Sequence, residues 1–399
     1  MPHARARHLV SLILRKLRFS PVVALQGARQ TGKSFLAREI LKEKLYDYTY
    51  ETLDQLAIRE FAKTNPETFL KQRSQFKTFA IDEAQKAPVL FDSIKYEVDL
   101  KRIPGKYLLL GSTEFSKLAL IRESLTGRMS RARLYPLNLG EVYKLPPNPS
   151  KNKLLVRDAP RITRQQFLTH LERGGMPGIF GIHSTSERES AAQDWIDLTT
   201  QRDALSFANL KIDADLCMKI FQKVALLEEP EAGQIAKTLK VDLRRINTHL
   251  HVLKSLFALH ELKPHPLGTG KSRYFLCDIA FAKMLGASFE RLLYTWLIQE
   301  QLSQRAYKDD RNTELYYYRS LKGSLIHLMI ENQPNDILAA KLFSEEKIMS
   351  RELEILVAFK KKSAKTHKVT LCGLGADNQV HKISKNKDII NIYKWESIG

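Results

Sequence analysis

Gly27-Ala28-Arg29-Gln30-Thr31-Gly32-Lys33-Ser34 is the stretch on which the reading of this 399-residue sequence turns. It satisfies G-x-x-x-x-G-K-[ST] at every position. An apolar run, Val22-Val23-Ala24-Leu25, precedes it, and Phe35-Leu36-Ala37-Arg38-Glu39-Ile40-Leu41 continues with helical character. The glycines let the chain curl so that successive backbone N–H groups face one anion, and the start of the following helix adds its positive end. Lys33 then reaches the β- and γ-phosphates, and the Ser34 hydroxyl ligates Mg²⁺. The expected ligands are ATP and Mg²⁺, and the binding set is Gly27, Ala28, Arg29, Gln30, Thr31, Gly32, Lys33, Ser34 and Phe35.

Hydrolysis needs more than a phosphate cradle: a carboxylate to hold the metal's water shell and a group to activate the attacking water. Phe79-Ala80-Ile81-Asp82-Glu83 offers both at the end of an apolar strand, where ligands of an open α/β sheet bind. Asp82 is expected at the metal and Glu83 at the water. The next strand, Tyr107-Leu108-Leu109-Leu110, runs into Gly111-Ser112-Thr113. A hydroxyl of Ser112 or Thr113 there can touch the γ-phosphate, although an ordinary Ser/Thr turn accounts for the same residues. Arg128 stands just before another expected strand at 133–135. It is the candidate arginine finger for a neighbouring subunit, with Arg131 and Arg133 as rivals and a surface salt bridge as the bland reading.

Length and charge frame these motifs. A chain of this size exceeds one ordinary hydrophobic core. Its 64 Lys+Arg against 44 Asp+Glu give a net charge of +20, which favours a polyanionic partner over none, or reflects a generally lysine-rich surface. No run approaches the ~20 apolar residues of a membrane span, and Leu9-Val10-Ser11-Leu12-Ile13-Leu14 with its basic follow-on reads as an amphipathic helix packed on the next domain. Cys217, Cys277 and Cys372 are isolated singletons, which points to a reducing compartment, the cytoplasm. The prolines of 145–153 mark a linker. The expected units are an ATPase domain at 1–145, a helical region at 146–229, a helix-turn-helix with a wing at 230–278, and a small α/β domain at 279–399.

The order of these elements resembles the bacterial and archaeal AAA+ ATPases that carry a winged helix and a restriction-endonuclease-like domain of unknown function. The matching stretches are the phosphate loop, Ile81-Asp82-Glu83-Ala84-Gln85-Lys86-Ala87-Pro88, Leu110-Gly111-Ser112-Thr113, and Leu125-Thr126-Gly127-Arg128 followed by Tyr135-Pro136-Leu137-Asn138-Leu139-Gly140-Glu141. Gly174-Gly175-Met176-Pro177 and Gln201-Arg202-Asp203 sit where that family has similar short motifs. The resemblance implies a P-loop NTPase (AAA+) parallel sheet with helices on both faces, ATP with Mg²⁺, and Ser112 or Thr113 in the sensor position.

In the expected winged helix, 233–239 is the first helix, Asp242 caps the second, and the hairpin at 263–274 is the wing. Ile246, Leu250, Leu253 and Phe257 share one face. Arg244, Arg245, Asn247, Lys271 and Arg273 are the candidates for double-stranded DNA, and protein packing is the alternative use of the same module. In the last domain, a nuclease of the resembled type needs an Asp on the strand at 325–330 and Glu-x-Lys on the next. His327 or Ile326 and Ala339-Ala340-Lys341 occupy those places, so no cleavage is expected. Lys360-Lys361-Lys362 and the lysines of 382–387 make a basic tail.

Three uses of the ATP site remain at this stage. The first is a DNA-associated, oligomeric ATPase driving or gating a conformational change. The second is a switch acting through a protein partner. The third is a small-molecule kinase, which Asp82–Glu83 disfavours by placing a water-activating group where an acceptor must approach.

Overall fold

The computed structural model describes residues 5–115, 125–150, 153–157, 161–207, 210–333, 335–345, 348–383 and 388–398. The lysines at 385 and 387, part of the expected basic tail, lie outside these residues. Five strands, β1 Val22–Gln26, β2 Tyr48–Thr52, β3 Thr78–Asp82, β4 Tyr107–Gly111 and β5 Met129–Arg133, form a parallel sheet in the order β2-β3-β4-β1-β5. Every residue of β1, β3 and β4 is buried, as near-continuous apolar strands covered on both faces require. Alternate residues take opposite sides. Val22, Ala24, Phe79, Ile81 and Leu109 join Phe69, Phe91 and Ile94 on one face. Val23, Leu25, Ala80, Leu108 and Leu110 join Leu9, Leu12, Ile13 and Leu36 on the other. The amphipathic helix Val10–Leu17 therefore packs on the sheet.

Two strands depart from the sequence expectation. The edge strand expected at 133–135 runs instead over Met129–Arg133. Its exposed side carries Arg131, so the apolar-run criterion selected Leu134-Tyr135, which follow the strand as buried loop. β2 was not foreseen, because its residues Tyr-Thr-Tyr-Glu-Thr are all half-buried at the other edge.

Past the sheet, helices Arg164–Arg173, Thr185–Asp197, Ala214–Leu226, Ala232–Leu239 and Leu243–Ser255 lead to the antiparallel pair β6 Leu259–Pro264 and β7 Arg273–Leu276. Helices Ile279–Met284 and Phe289–Lys308 follow, then β8 Glu314–Arg319, β9 Leu325–Gln333, β10 Asp336–Leu342, helix Ser350–Ser363, β11 Lys368–Gly375, β12 Gln379–Ile383 and β13 Asp388–Lys394. The second sheet is mixed, in the order β12-β13-β11-β10-β9-β8-β6-β7. Lys263 on β6 pairs with Tyr316 on β8, so the hairpin expected to be a wing continues the C-terminal sheet across residue 278.

The proline-rich segment after 145 is also packed. Asn148 is buried and its Nδ2 donates to Leu155 O (2.6 Å) and Ile398 O (3.3 Å), and Leu154 and Val156 share a core with Trp296 and Trp395. Among the described residues no helix is long and apolar enough to cross a membrane. All three cysteines are buried and unbridged.

Asp278 ties the halves together. It accepts N–H bonds from Ala280 (2.8 Å) and Gly175 (2.8 Å), while burial pushes its carboxyl up to about 7. Leu137 N donates to Gly175 O (2.7 Å), joining that turn to the chain leaving β5. Replacing Asp278 with Ala leaves these buried N–H groups without an acceptor, at about 2–4 kcal/mol. Urea unfolding of Asp278→Ala should show that loss, and an unchanged midpoint would contradict the assignment.

Candidate nucleotide site

β1 delivers the chain into the loop at 27–34, and a helix opens at Lys33. Gly27 N donates to Gly111 O (3.3 Å), and a Cβ at Gly27 would stand 2.2 Å from Leu134 O. Only glycine fits there. Gln30 at φ 58° and Gly32 at φ 93° are both left-handed, which folds the loop back on itself. The Lys33 ammonium is buried and donates to Gly27 O and Ala28 O (2.8 Å each). Desolvation lowers its pKa to about 8, against the pull of Glu83 and Asp82. Ser34 is exposed and Phe35 half-buried at the loop's mouth.

The loop's carbonyls are held from outside. Arg7 Nη1 donates to Thr31 O (2.6 Å), and the same buried guanidinium reaches Glu141 Oε1 (3.2 Å), Tyr135 O (2.6 Å) and the Tyr307 hydroxyl (3.2 Å). Trp195 Nε1 donates to Arg29 O (3.1 Å), and Arg29 Nε donates to Asp203 Oδ2. Pro177 lies beside Gly32. Thus Gly-Gly-Met-Pro and Gln-Arg-Asp, far along the sequence, close around the phosphate loop.

At the end of β3, Asp82 Oδ1 accepts from Glu83 N (2.9 Å) and Oδ2 accepts from the Tyr50 hydroxyl (2.6 Å). Glu83 is left-handed, at φ 53°. Its Oε2 accepts from Ser112 Oγ (3.1 Å) and from Gln85 Nε2, which also reaches Ser112 Oγ (3.3 Å). Thr113, buried, gives its carbonyl to Gln26 Nε2 (2.7 Å). The sequence thus named Lys33, Ser34, Asp82, Glu83, Ser112 and Thr113, and the fold brings them to the C-terminal ends of the neighbouring strands β3, β4 and β1. It missed Arg7, Tyr50, Gln85 and Trp195. Gln85, two residues beyond the acidic pair, had a positional signal; Arg7 looked like any residue of a basic N-terminus.

Arg128 precedes β5, whose first residue pairs with Val22 and whose last pairs with Gln26. It therefore sits at the opposite end of the strands from its own loop, and its Nη2 donates to Asp99 Oδ2 (2.8 Å). Arg131 is exposed. Arg133 lies 4.5 Å above Tyr135 and 4.7 Å from Phe257, with Nη2 on His260 Nδ1 (3.1 Å).

Asp242 caps the helix Leu243–Ser255 by accepting from Arg244 N (2.8 Å) and Arg245 N (3.4 Å). Arg244, Arg245, Asn247 and Lys271 are exposed. Arg273 is not, which corrects the expectation that it faces a nucleic acid. β7 pairs with β6, which in turn pairs with β8, and the Arg273 guanidinium reaches across to stack 4.2 Å over Tyr317 of β8, where it is fully buried and bonded to Glu229 Oε1 (2.7 Å). His327 on β9 is buried and accepts from Leu342 N (3.2 Å), and Lys341 on β10 is half-buried. The carboxylates that act on Lys341, Glu352 and Glu290, come from helices rather than strands.

This strand order, a glycine loop leading from β1 into a helix, and carboxylates at the end of β3 define a P-loop NTPase fold. Residues 19–143 match the family model described as AAA domain, and residues 164–287 match one described as a domain of unknown function (DUF8612). An uncharacterised protein of Mycobacterium tuberculosis and one of Mycobacterium bovis are each 25% identical over 342 residues, which covers 82% of this chain and 71% of each relative. The Walker-type ATPase PABY2304 of Pyrococcus abyssi aligns with TM-score 0.43 and 15% identity, over 69% of this chain and 94% of that one.

The loop geometry makes one outcome definite. Gly27→Ala should abolish binding of a fluorescent ATP analogue while leaving the circular-dichroism spectrum intact, because the added methyl must displace the Leu134 carbonyl. Retained affinity would show that the loop is not the binding element.

Proposed function

We propose that the chain hydrolyses ATP and uses the cycle to gate a conformational change in a DNA-associated, oligomeric assembly. The observation that carries this is the joining of Glu83, Ser112 and Gln85 at the ends of adjacent strands, facing the loop that holds Lys33. A carboxylate fixed by a hydroxyl and an amide is oriented to take a proton from water, and Lys33 is placed to neutralise phosphate charge. Asp82 and Ser34 would hold Mg²⁺, which when bound offsets charge on the phosphates. Ser112 touches Glu83 directly, so a change in the phosphate it senses alters the base.

The gating reading rests on a short link. Glu114 N, one residue past Thr113, donates to Ser255 O (2.8 Å) at the end of the helix that carries Arg244, Arg245 and Asn247. Those residues, with Lys271 and the +20 charge, suit a duplex backbone. A helix-turn-helix used for protein contact is the second reading, favoured by the pairing of Arg245 Nη2 with Asp213 Oδ2 (3.3 Å), which already occupies one arginine within the chain. Nuclease cleavage forms no part of the proposal, since His327 and Ala339-Ala340 stand where strand carboxylates are needed. Arg128 is proposed to act only across a subunit boundary.

Phosphate release from Mg-ATP, with and without duplex DNA over a salt series, tests the proposal. Stimulation that fades as salt rises supports it; turnover indifferent to DNA shifts the partner to protein. Glu83→Gln should keep nucleotide binding and lose about 100-fold or more in turnover, and wild-type turnover in that variant would remove Glu83 as the base.

A further inference from the structure

The Tyr50 hydroxyl donates to Asp82 Oδ2 at 2.6 Å, and the Ser34 side chain acts on the same phenol. These are the two side chains the proposed function assigns to Mg²⁺, and their hydroxyl and carboxylate are the hard oxygen donors that ion takes. Tyr50 lies on the edge strand β2, in register with Ala80 on β3, so its ring reaches forward to the strand end. Two residues earlier on the same side, Tyr48 donates its hydroxyl to Ala37 O (3.0 Å) in the helix after the loop. β2 thus clasps the start of that helix with two phenols.

We propose that Tyr50 gates the metal: its hydroxyl competes with Mg²⁺ for the Asp82 carboxylate, and so sets the metal concentration at which the site fills. A hydrogen bond to a carboxylate is charge-assisted and must be surrendered when the ion draws the same oxygen. The free energy of that bond is therefore subtracted from metal binding, while binding of nucleotide alone through the loop's N–H groups and Lys33 is untouched. Tyr50 is a positioning residue, acting through Asp82 rather than on the phosphates. The inference deepens the ATPase reading and rests on it.

The test is a titration of Mg²⁺ into the full chain with a fluorescent non-hydrolysable ATP analogue, reading affinity rather than turnover. Tyr50→Phe keeps the ring and removes the hydroxyl. It should lower the half-saturating Mg²⁺ by on the order of ten-fold and leave affinity in EDTA unchanged. Adding Tyr50→Phe to Asp82→Ala should produce no further shift, since the acceptor of the bond it removes is already gone. If the wild type responds to Mg²⁺ but Tyr50→Phe half-saturates at the same or a higher concentration, the gate is overturned and the ATPase reading stands. If Mg²⁺ does not affect analogue binding even in the wild type, the ATPase reading itself fails. A loss of affinity in EDTA for Tyr50→Phe would also overturn the gate, by showing that the ring shapes the loop.

Discussion

A loop that turns its N–H groups toward one anion must turn its carbonyls away from it, and buried carbonyls need donors. In this chain that constraint organises both halves. Lys33 and Thr31 Oγ1 serve the carbonyls of Gly27 and Ala28 from within the loop. Arg29 O and Thr31 O are served by Trp195 and Arg7, one far downstream and one from the N-terminal segment. The phosphate cradle is therefore completed by residues outside the stretch at 19–143 that matches the AAA domain.

The same logic explains several short motifs. Gly175 admits no side chain, because a Cβ there would stand 2.2 Å from Leu137 O. Gly174, at φ 73°, leaves room for the Asp278 carboxylate that orders the turn. Asn138 and Glu141 form a reciprocal capping box at the short helix Leu139–Val142. Glu141 also accepts from Arg7 and from His8 N (2.7 Å). Glu300, whose carboxyl burial raises to about 7, accepts from Leu139 N (3.0 Å). Each link joins the exit of β5 either to the N-terminal segment or to the helical half, so the nucleotide loop is the meeting point of elements rather than an appendage of one sheet.

Much of this was legible in the sequence, for identifiable reasons. Apolar runs located β1, β3 and β4 because both faces of those strands are covered, and the G-x-x-x-x-G-K-S pattern fixes its own backbone conformation. The helix Leu243–Ser255 begins at its expected cap, Asp242, since capping is a local rule. Edge elements escaped: β2 is half-buried throughout and β5 carries Ser130, Arg131 and Arg133, so neither produces an apolar run. Partners separated by over a hundred residues, such as Arg7 with Glu141 or Trp195 with Arg29, leave no local trace at all. Arg273 was misread because a basic residue in a turn-flanked hairpin looks solvent-facing until its side chain is seen to stack on Tyr317 of β8.

The central claim, that one nucleotide loop is shared by both halves of the chain, is best tested by hydrogen exchange on the intact protein with and without a non-hydrolysable Mg-ATP analogue. The account predicts slowed exchange at 27–35 together with 174–178 and 195–203, because those segments brace the loop. Slowing confined to 19–143 would contradict it.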